Sequence, residues 1–224
     1  MEVLFEPYCI PPEDEWKFSH GREERVSEAG IIGYRGPDAG NATWRNHMPA
    51  AEIRDRLGSS EWESYFKFCV VRNPFDKAVS LFYYGQGSGT LTQRLKDGTK
   101  SFLRTISRRF LKFEFERWLR NGGLHVDRDK YVLDGEICMD DFIFFERLEE
   151  DVQRICDRLG LRFDSDRLPY LKSGHRPDSY STADHYTSRS KEIVANAFDM
   201  ELKTFGYEFP NGDVSAAPTL RSWQ

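Results

Sequence analysis

Residues 67–84 read KFCVVRNPFDKAVSLFYY, and this stretch decides the fold. The apolar run Tyr65–Val71 predicts a buried strand. Because nearly every residue in the run is apolar, we expect both faces of the strand to be covered, as in a parallel sheet. Asn73 can cap a helix, Pro74 suits its first position, and Asp76 suits the positive end of its dipole. The stretch therefore predicts a strand that turns directly into a helix.

Arg72 stands where this strand ends. In α/β proteins, ligands bind in the crevice beyond the carboxyl ends of the strands, so an arginine here is well placed to bind an anion. Ser80 follows within two turns of the helix, and its hydroxyl could meet the guanidinium on one phosphate. A plain ion pair between Arg72 and a nearby carboxylate fits the sequence equally well, and both interpretations stay open.

The rest of the chain alternates between helical and extended patterns. An Asp-Gly turn between two short extended runs predicts a hairpin in residues 131–139, and a short buried strand is expected at 142–145. Helices are expected at 50–57, 101–121, 148–159 and 188–205. The residues before 50 indicate mostly loop with short elements. This alternation predicts a single α/β domain over residues 1–210, followed by a disordered tail over 211–224.

Composition excludes several classes of protein. The 224 residues include 32 basic and 37 acidic side chains, for a net charge of -5 and no basic stripe, which argues against a dedicated nucleic-acid-binding protein. The sequence contains no apolar run long enough to be a transmembrane segment, and its amino terminus lacks a signal-peptide pattern, so we expect a cytoplasmic protein. The four cysteines are scattered, and neither a disulfide framework nor a metal site is expected.

Three motifs carry a resemblance to a known family. FKFCVVRNPFDKAVSLFYY, followed downstream by FERLEEDVQRICDRLGL and FGYEF, resembles the sulfotransferase superfamily over roughly residues 30–209. The carbohydrate-type branch is the most similar. The resemblance implies a three-layer P-loop NTPase-like fold with a mostly parallel central sheet. It also implies that 3′-phosphoadenosine 5′-phosphosulfate is the sulfate donor and that a hydroxyl, in this branch one of a carbohydrate, is the acceptor.

The resemblance also implies roles for individual residues. Arg72 and Ser80 would hold the 3′-phosphate of the nucleotide, while Lys172 and Arg176, in a late basic loop, would contact its phosphates. His47 precedes the helix and strand that lead to Arg72, and a histidine placed in this way would take the proton from the acceptor hydroxyl. Sulfuryl transfer of this kind uses no metal. His47 could equally cap the helix that starts near Pro49 or contact solvent, and the late loop could be a solvated surface loop.

One element of the family pattern is not found in this sequence. Such proteins carry an amino-terminal strand and a loop like Lys-Thr-x-Gly-Thr-Ser, which grips the 5′-phosphosulfate. This chain begins MEVLFEPYC, which resembles the helix after that loop, so we expect the first strand to be missing and the activity to be absent or severely reduced. KTFG at 203–206 is expected to end a helix, and GQGSG at 85–89 to be a connector. The alternative function is a degenerate, non-catalytic protein that binds a nucleotide or a glycan.

The long helix predicted at 101–121 carries a basic face, formed by Arg104, Arg108, Arg109 and Lys112. Such a face could attract a sulfated or otherwise acidic glycan. A solvated helix surface explains the same residues. His125, His175 and His185 follow no pattern that would place them near a strand end.

Overall fold

The computed structural model describes residues 2–15, 17, 19, 21–37, 39–85, 102–168 and 180–210. The described residues form eight α-helices and six short strands. None of the helices in these ranges combines the length and the apolar character needed to cross a lipid bilayer. The chain divides into two compact units, one built from residues 1–69, 127–141 and 152–171, the other from residues 70–126, 142–151 and 172–224.

The first unit contains short elements. Its helices and strands are α1 (Glu2–Phe5), β1 (Arg25–Ser27), β2 (Gly30–Ile32), α2 (Ala50–Leu57), α3 (Ser59–Ser64), β4 (Val132–Leu133) and β5 (Glu136–Ile137). Both strand pairs, β1 with β2 and β4 with β5, are antiparallel hairpins. The second hairpin turns at Asp134 and Gly135, which both have positive φ, as a type I′ turn requires. The predicted Asp-Gly hairpin is therefore confirmed, as is the helix that Gly58 ends.

The second unit is built around an aromatic core. It holds α4 (Pro74–Gly85), α5 (Phe102–Arg120), α7 (Ser188–Ala197) and α8 (Asp199–Phe205). The first turn of helix α6 (Leu148–Leu159) belongs to the second unit, and the other residues of this helix belong to the first unit. Phe82 and Phe115 are fully buried, with their rings edge to face at 5.3 Å between centroids. Such pairs stabilise beyond the area that they bury, so helices α4 and α5 are fixed to each other mainly by aromatic packing.

Two further strands, β3 (Phe68–Val71) and β6 (Asp141–Phe144), form a parallel pair. Half of β3 and most of β6 belong to the second unit. Parallel pairing with helices between the strands confirms the α/β class that the sequence predicts. The expectation that β3 is covered on both faces is wrong, because Val70 is 37 % exposed. Successive side chains of a strand point to opposite faces, so the face of β3 that carries Val70 is not fully covered.

The predicted helix over 188–205 is also corrected. It is two helices, and the break is at Phe198, whose φ of -111° and ψ of 27° lie outside the helical range. The Phe198 side chain is buried in the core, 2 % exposed. Asp199 and Glu201 follow in the first turn of α8, where carboxylates favour a new helix start. The apolar periodicity runs through the break, which explains why the pattern predicts one helix.

The end of α5 gives a first testable prediction. A Cβ on Gly123 would lie 2.1 Å from Cε2 of Trp118, whose ring packs against Phe115. We expect Gly123→Ala to lower the free energy of unfolding by about 2 kcal/mol through this overlap, measured by urea denaturation. In a Trp118→Ala background the same substitution should leave the free energy of unfolding almost unchanged, because the indole ring that the new methyl group would overlap is absent. Additive effects of the two substitutions would contradict this packing.

Candidate functional site

The parallel pair brings two loops to the same edge of the second unit. Arg72 and Asn73 follow β3, while Phe145 and Glu146 follow β6. The backbone N–H of Asn73 donates to Oε1 of Glu146 at 2.7 Å, so the two strand ends are joined directly. Carboxyl ends of neighbouring parallel strands are where α/β proteins bind ligands. The position predicted for Arg72, between a strand and a capped helix, is confirmed.

The Arg72 guanidinium is held on one edge and one face. Its Nε donates to Oδ2 of Asp76 at 2.7 Å, and Nη2 bonds the same oxygen. The ring of Phe145 lies against the guanidinium, 4.3 Å from Cζ to the ring centroid. The Arg72 side chain is still 26 % exposed. The ion pair that the sequence left open is therefore present, and it occupies the Nε edge of the guanidinium.

Asp76 is itself fixed from a second direction. Its other oxygen, Oδ1, accepts a hydrogen bond of 2.7 Å from Oγ1 of Thr182, and Thr182 is 2 % exposed. A carboxylate bound through both oxygens has little rotational freedom, and it transfers that order to the arginine it pairs with. The orientation of Arg72 thus depends on a threonine 106 residues further along the chain.

Asn73 anchors the turn between β3 and α4. Its Oδ1 accepts from the backbone N–H of Phe75 at 3.0 Å, which is the predicted helix cap. Its Nδ2 donates to the Glu208 carbonyl at 2.9 Å. Glu146, which bonds the Asn73 backbone, also accepts from the Tyr207 hydroxyl at 3.0 Å. Burial, with the nearby Glu146 carboxylate, raises the pKa of Tyr207, so its phenol keeps the proton that it donates.

Ser80 lies on α4, one turn beyond Asp76. Residues four apart on a helix share a face, with about 6 Å between their Cβ atoms, so Ser80 lies next to the carboxylate that holds Arg72. The Ser80 side chain is half-buried, and among the described residues it forms no side-chain hydrogen bond. Its hydroxyl is therefore free to donate to a ligand on this face of the helix.

His47 belongs to the first unit. It is exposed, has a φ of 58°, and forms no side-chain hydrogen bond within the described ranges. Pro49, not His47, occupies the cap position of α2, so the capping alternative is excluded. Nearby, Arg45 forms a two-pronged ion pair with Glu52 and holds the pKa of that carboxyl at about 2. The assignment of His47 as a base stays a prediction.

Two other predicted contacts, Lys172 and Arg176, lie outside the described residues, as does most of GQGSG. KTFG ends α8 as predicted, with Gly206 in the left-handed region at φ 69°. Within the described ranges, no group of three histidine, cysteine or acidic side chains could hold a metal ion.

His185 has a structural setting that the sequence did not indicate. It is fully buried, with Nδ1 2.9 Å from the Ser181 carbonyl and Nε2 2.8 Å from the Tyr83 hydroxyl. A carbonyl can only accept, so Nδ1 carries a proton and donates it to Ser181, while Nε2 forms a hydrogen bond with the Tyr83 hydroxyl. These contacts place His185 in a core hydrogen-bond network.

Comparisons with known proteins add little to this geometry. No family model and no solved structure matches the chain significantly. An uncharacterized protein of the archaeon Archaeoglobus fulgidus is 26 % identical to it over 114 residues, which are 51 % of this chain and 83 % of that protein. This similarity carries no activity with it.

Asn73 variants test the anchoring of the site. Asn73→Ala removes the cap and the hydrogen bond to the Glu208 carbonyl, so we expect the free energy of unfolding to fall by about 2 kcal/mol in urea denaturation. Asn73→Ser keeps a capping oxygen and should lose only about half as much. Equal losses in the two variants would show that the cap contributes nothing.

Proposed function

We propose that this chain is a sulfotransferase-type nucleotide-binding protein, in which Arg72 binds the 3′-phosphate of 3′-phosphoadenosine 5′-phosphosulfate. The observation that supports this most is the fixed guanidinium at the carboxyl end of β3. Asp76 takes its Nε edge and Phe145 covers one face. Among the described residues, Nη1 has no hydrogen-bond partner. The Nη1–Nη2 edge is the one that remains for an anion.

The remaining edge suits a phosphate because two parallel N–H groups match two phosphate oxygens. The guanidinium cannot turn away, so little entropy is lost when the anion binds. The amino terminus of α4, a helix of 12 residues, adds the positive end of its dipole at the same place. Ser80 supplies a neutral donor on the same helix. Lys172 and Arg176 enter the proposal on the resemblance alone.

The proposed fold is the three-layer P-loop-like sulfotransferase fold, with β3 and β6 as neighbours in its parallel sheet. The proposed reaction is an in-line displacement at sulfur. The bond from sulfur to the 5′-phosphate oxygen breaks, a bond to an acceptor hydroxyl oxygen forms, and His47 takes the hydroxyl proton. Adenosine 3′,5′-bisphosphate leaves. The acceptor class is a carbohydrate, and the chemistry needs neither a metal nor a covalent intermediate on the protein.

A second candidate is a binding protein that retains the nucleotide or glycan site without transfer activity. The Arg72–Asp76 ion pair offsets part of the charge that would stabilise a bound polyanion, and it does so equally for both candidates. The two candidates share the 3′-phosphate site and differ only in turnover. Binding and transfer therefore have to be measured separately.

Calorimetric titration tests the shared site. We expect adenosine 3′,5′-bisphosphate to bind more tightly than adenosine 5′-phosphate, which lacks the 3′-phosphate. We expect a ratio of the two affinities of about a hundredfold, since the 3′-phosphate would accept two charged hydrogen bonds, and Arg72→Ala should remove this preference. Arg72→Lys should restore only part of it, since an ammonium cannot make the two-pronged contact. Arg189→Ala, an exposed arginine on α7, is the matched control. The proposal is wrong if the preference for adenosine 3′,5′-bisphosphate survives Arg72→Ala, or if the original chain shows no such preference.

A radiolabelled transfer assay with a panel of carbohydrate acceptors tests the chemistry. His47→Asn should lower the transfer rate by about a hundredfold, since general-base catalysis contributes that much or more. Affinity for adenosine 3′,5′-bisphosphate should not change. Transfer by the original chain at the same rate as by His47→Asn would remove His47 from the mechanism. Nucleotide binding without any transfer by the original chain would support the second candidate.

A further inference from the structure

The outer surface of α5 carries arginines and phenylalanines side by side. Five exposed residues fall within an arc of about 100° around the helix, at 3.6 residues per turn. These residues, which we call the aromatic–arginine face, are Arg109, Phe110, Phe113, Arg117 and Arg120. Phe113 is 61 % exposed and Phe110 is 46 % exposed, whereas Leu111, Phe115 and Leu119 on the opposite side are buried.

No acidic residue lies within this arc. The two carboxylates of the same helix stretch lie beside the arc: Glu114, 7 % exposed, pairs with Arg117 of the face, and Glu116 accepts from Thr187 Oγ1 at 2.6 Å. Among the residues that the structure describes, neither Arg109 nor Arg120 forms an ion pair. The face therefore keeps a positive charge, although the whole chain carries -5.

We propose that the aromatic–arginine face binds an anionic lipid surface. Arginines at an interface pair with lipid phosphates, while phenylalanine rings, which have no polar group, enter the boundary between headgroups and acyl chains. From Arg109 to Arg120 the helix advances about 16 Å, enough for several headgroups. Residues of both kinds on one exposed arc are what an interfacial helix requires.

Two other occupants fit less well. In a twofold contact between two copies, the same patch faces itself, so Arg109 and Arg120 would oppose their own copies with no carboxylate on the face to pair with them. An acidic glycan would satisfy the arginines but leave two exposed phenylalanine rings without a role. Arg108, one of the basic residues for which the sequence left glycan binding and plain solvation open, has its Nε 3.6 Å from Oδ1 of Asp184 and lies outside the arc.

Flotation of the full chain with vesicles tests the proposal. We expect binding to phosphatidylcholine vesicles that contain about 30 mol% phosphatidylserine, and loss of binding without the anionic lipid. Raising the salt from about 0.1 M to about 0.5 M should weaken it, because the Debye length falls. Phe113→Ala should reduce partitioning roughly tenfold, and Arg109→Gln or Arg120→Gln about fivefold each.

Matched substitutions elsewhere control for general effects. Tyr65→Ala removes an exposed ring on the first unit, 56 % exposed, and Arg189→Gln removes an exposed arginine on α7, and both should bind vesicles normally. All these residues are at the surface, so circular dichroism should show unchanged folding. No flotation with anionic vesicles, or unchanged flotation of Phe113→Ala, overturns the proposal. Retention on heparin without flotation also overturns it and assigns the face to a glycan.

Discussion

Three hydrogen bonds of one buried residue organise the second unit. Asn73, 1 % exposed, caps α4, donates from its backbone to Glu146 after β6, and donates from its side chain to the Glu208 carbonyl. It therefore ties a helix start, a neighbouring strand end and the carboxyl-terminal segment to one point. Buried polar groups stabilise only when all of them are paired, so these contacts have to form together.

This anchoring determines what Arg72 can do. The residue before Asn73 has to project from the end of β3, and there it finds Asp76 one turn into α4 and Phe145 after β6. Thr182 completes the arrangement by holding the second oxygen of Asp76. An arginine that is free in solution samples many rotamers, whereas this one presents a single edge. The ion pair thus both lowers the positive charge of the site and fixes its geometry, and these effects act in opposite directions on anion binding.

Local signals in the sequence were sufficient for the elements and for the position of Arg72. The Asn73 cap, the Asp134–Gly135 turn and the helix end at Gly58 each depend on neighbours in the chain, which a pattern can show. The partners of the site are different, since Glu146, Thr182 and Glu208 contact residues 73, 106 and 135 positions away. No spacing rule connects such residues. The Arg72–Asp76 pair is the intermediate case, because its spacing of four residues allowed the pair without requiring it.

The sequence also predicts two things in error, and both errors have the same origin. An apolar pattern reports which residues avoid water on average, but not how many neighbours an element finds. Val70 reaches solvent although it lies in an apolar run, and Phe198 stays buried although the helix breaks there. Tertiary packing decides both outcomes.

The most direct measurement is a crystal structure of this chain with adenosine 3′,5′-bisphosphate. The account predicts the 3′-phosphate within about 3 Å of Nη1 and Nη2 of Arg72, the hydrogen-bond distance for charged partners, with Nε still bonded to Asp76. A nucleotide bound with its 3′-phosphate away from Arg72, or a complex in which the Nη1–Nη2 edge of Arg72 contacts no phosphate oxygen, would contradict it.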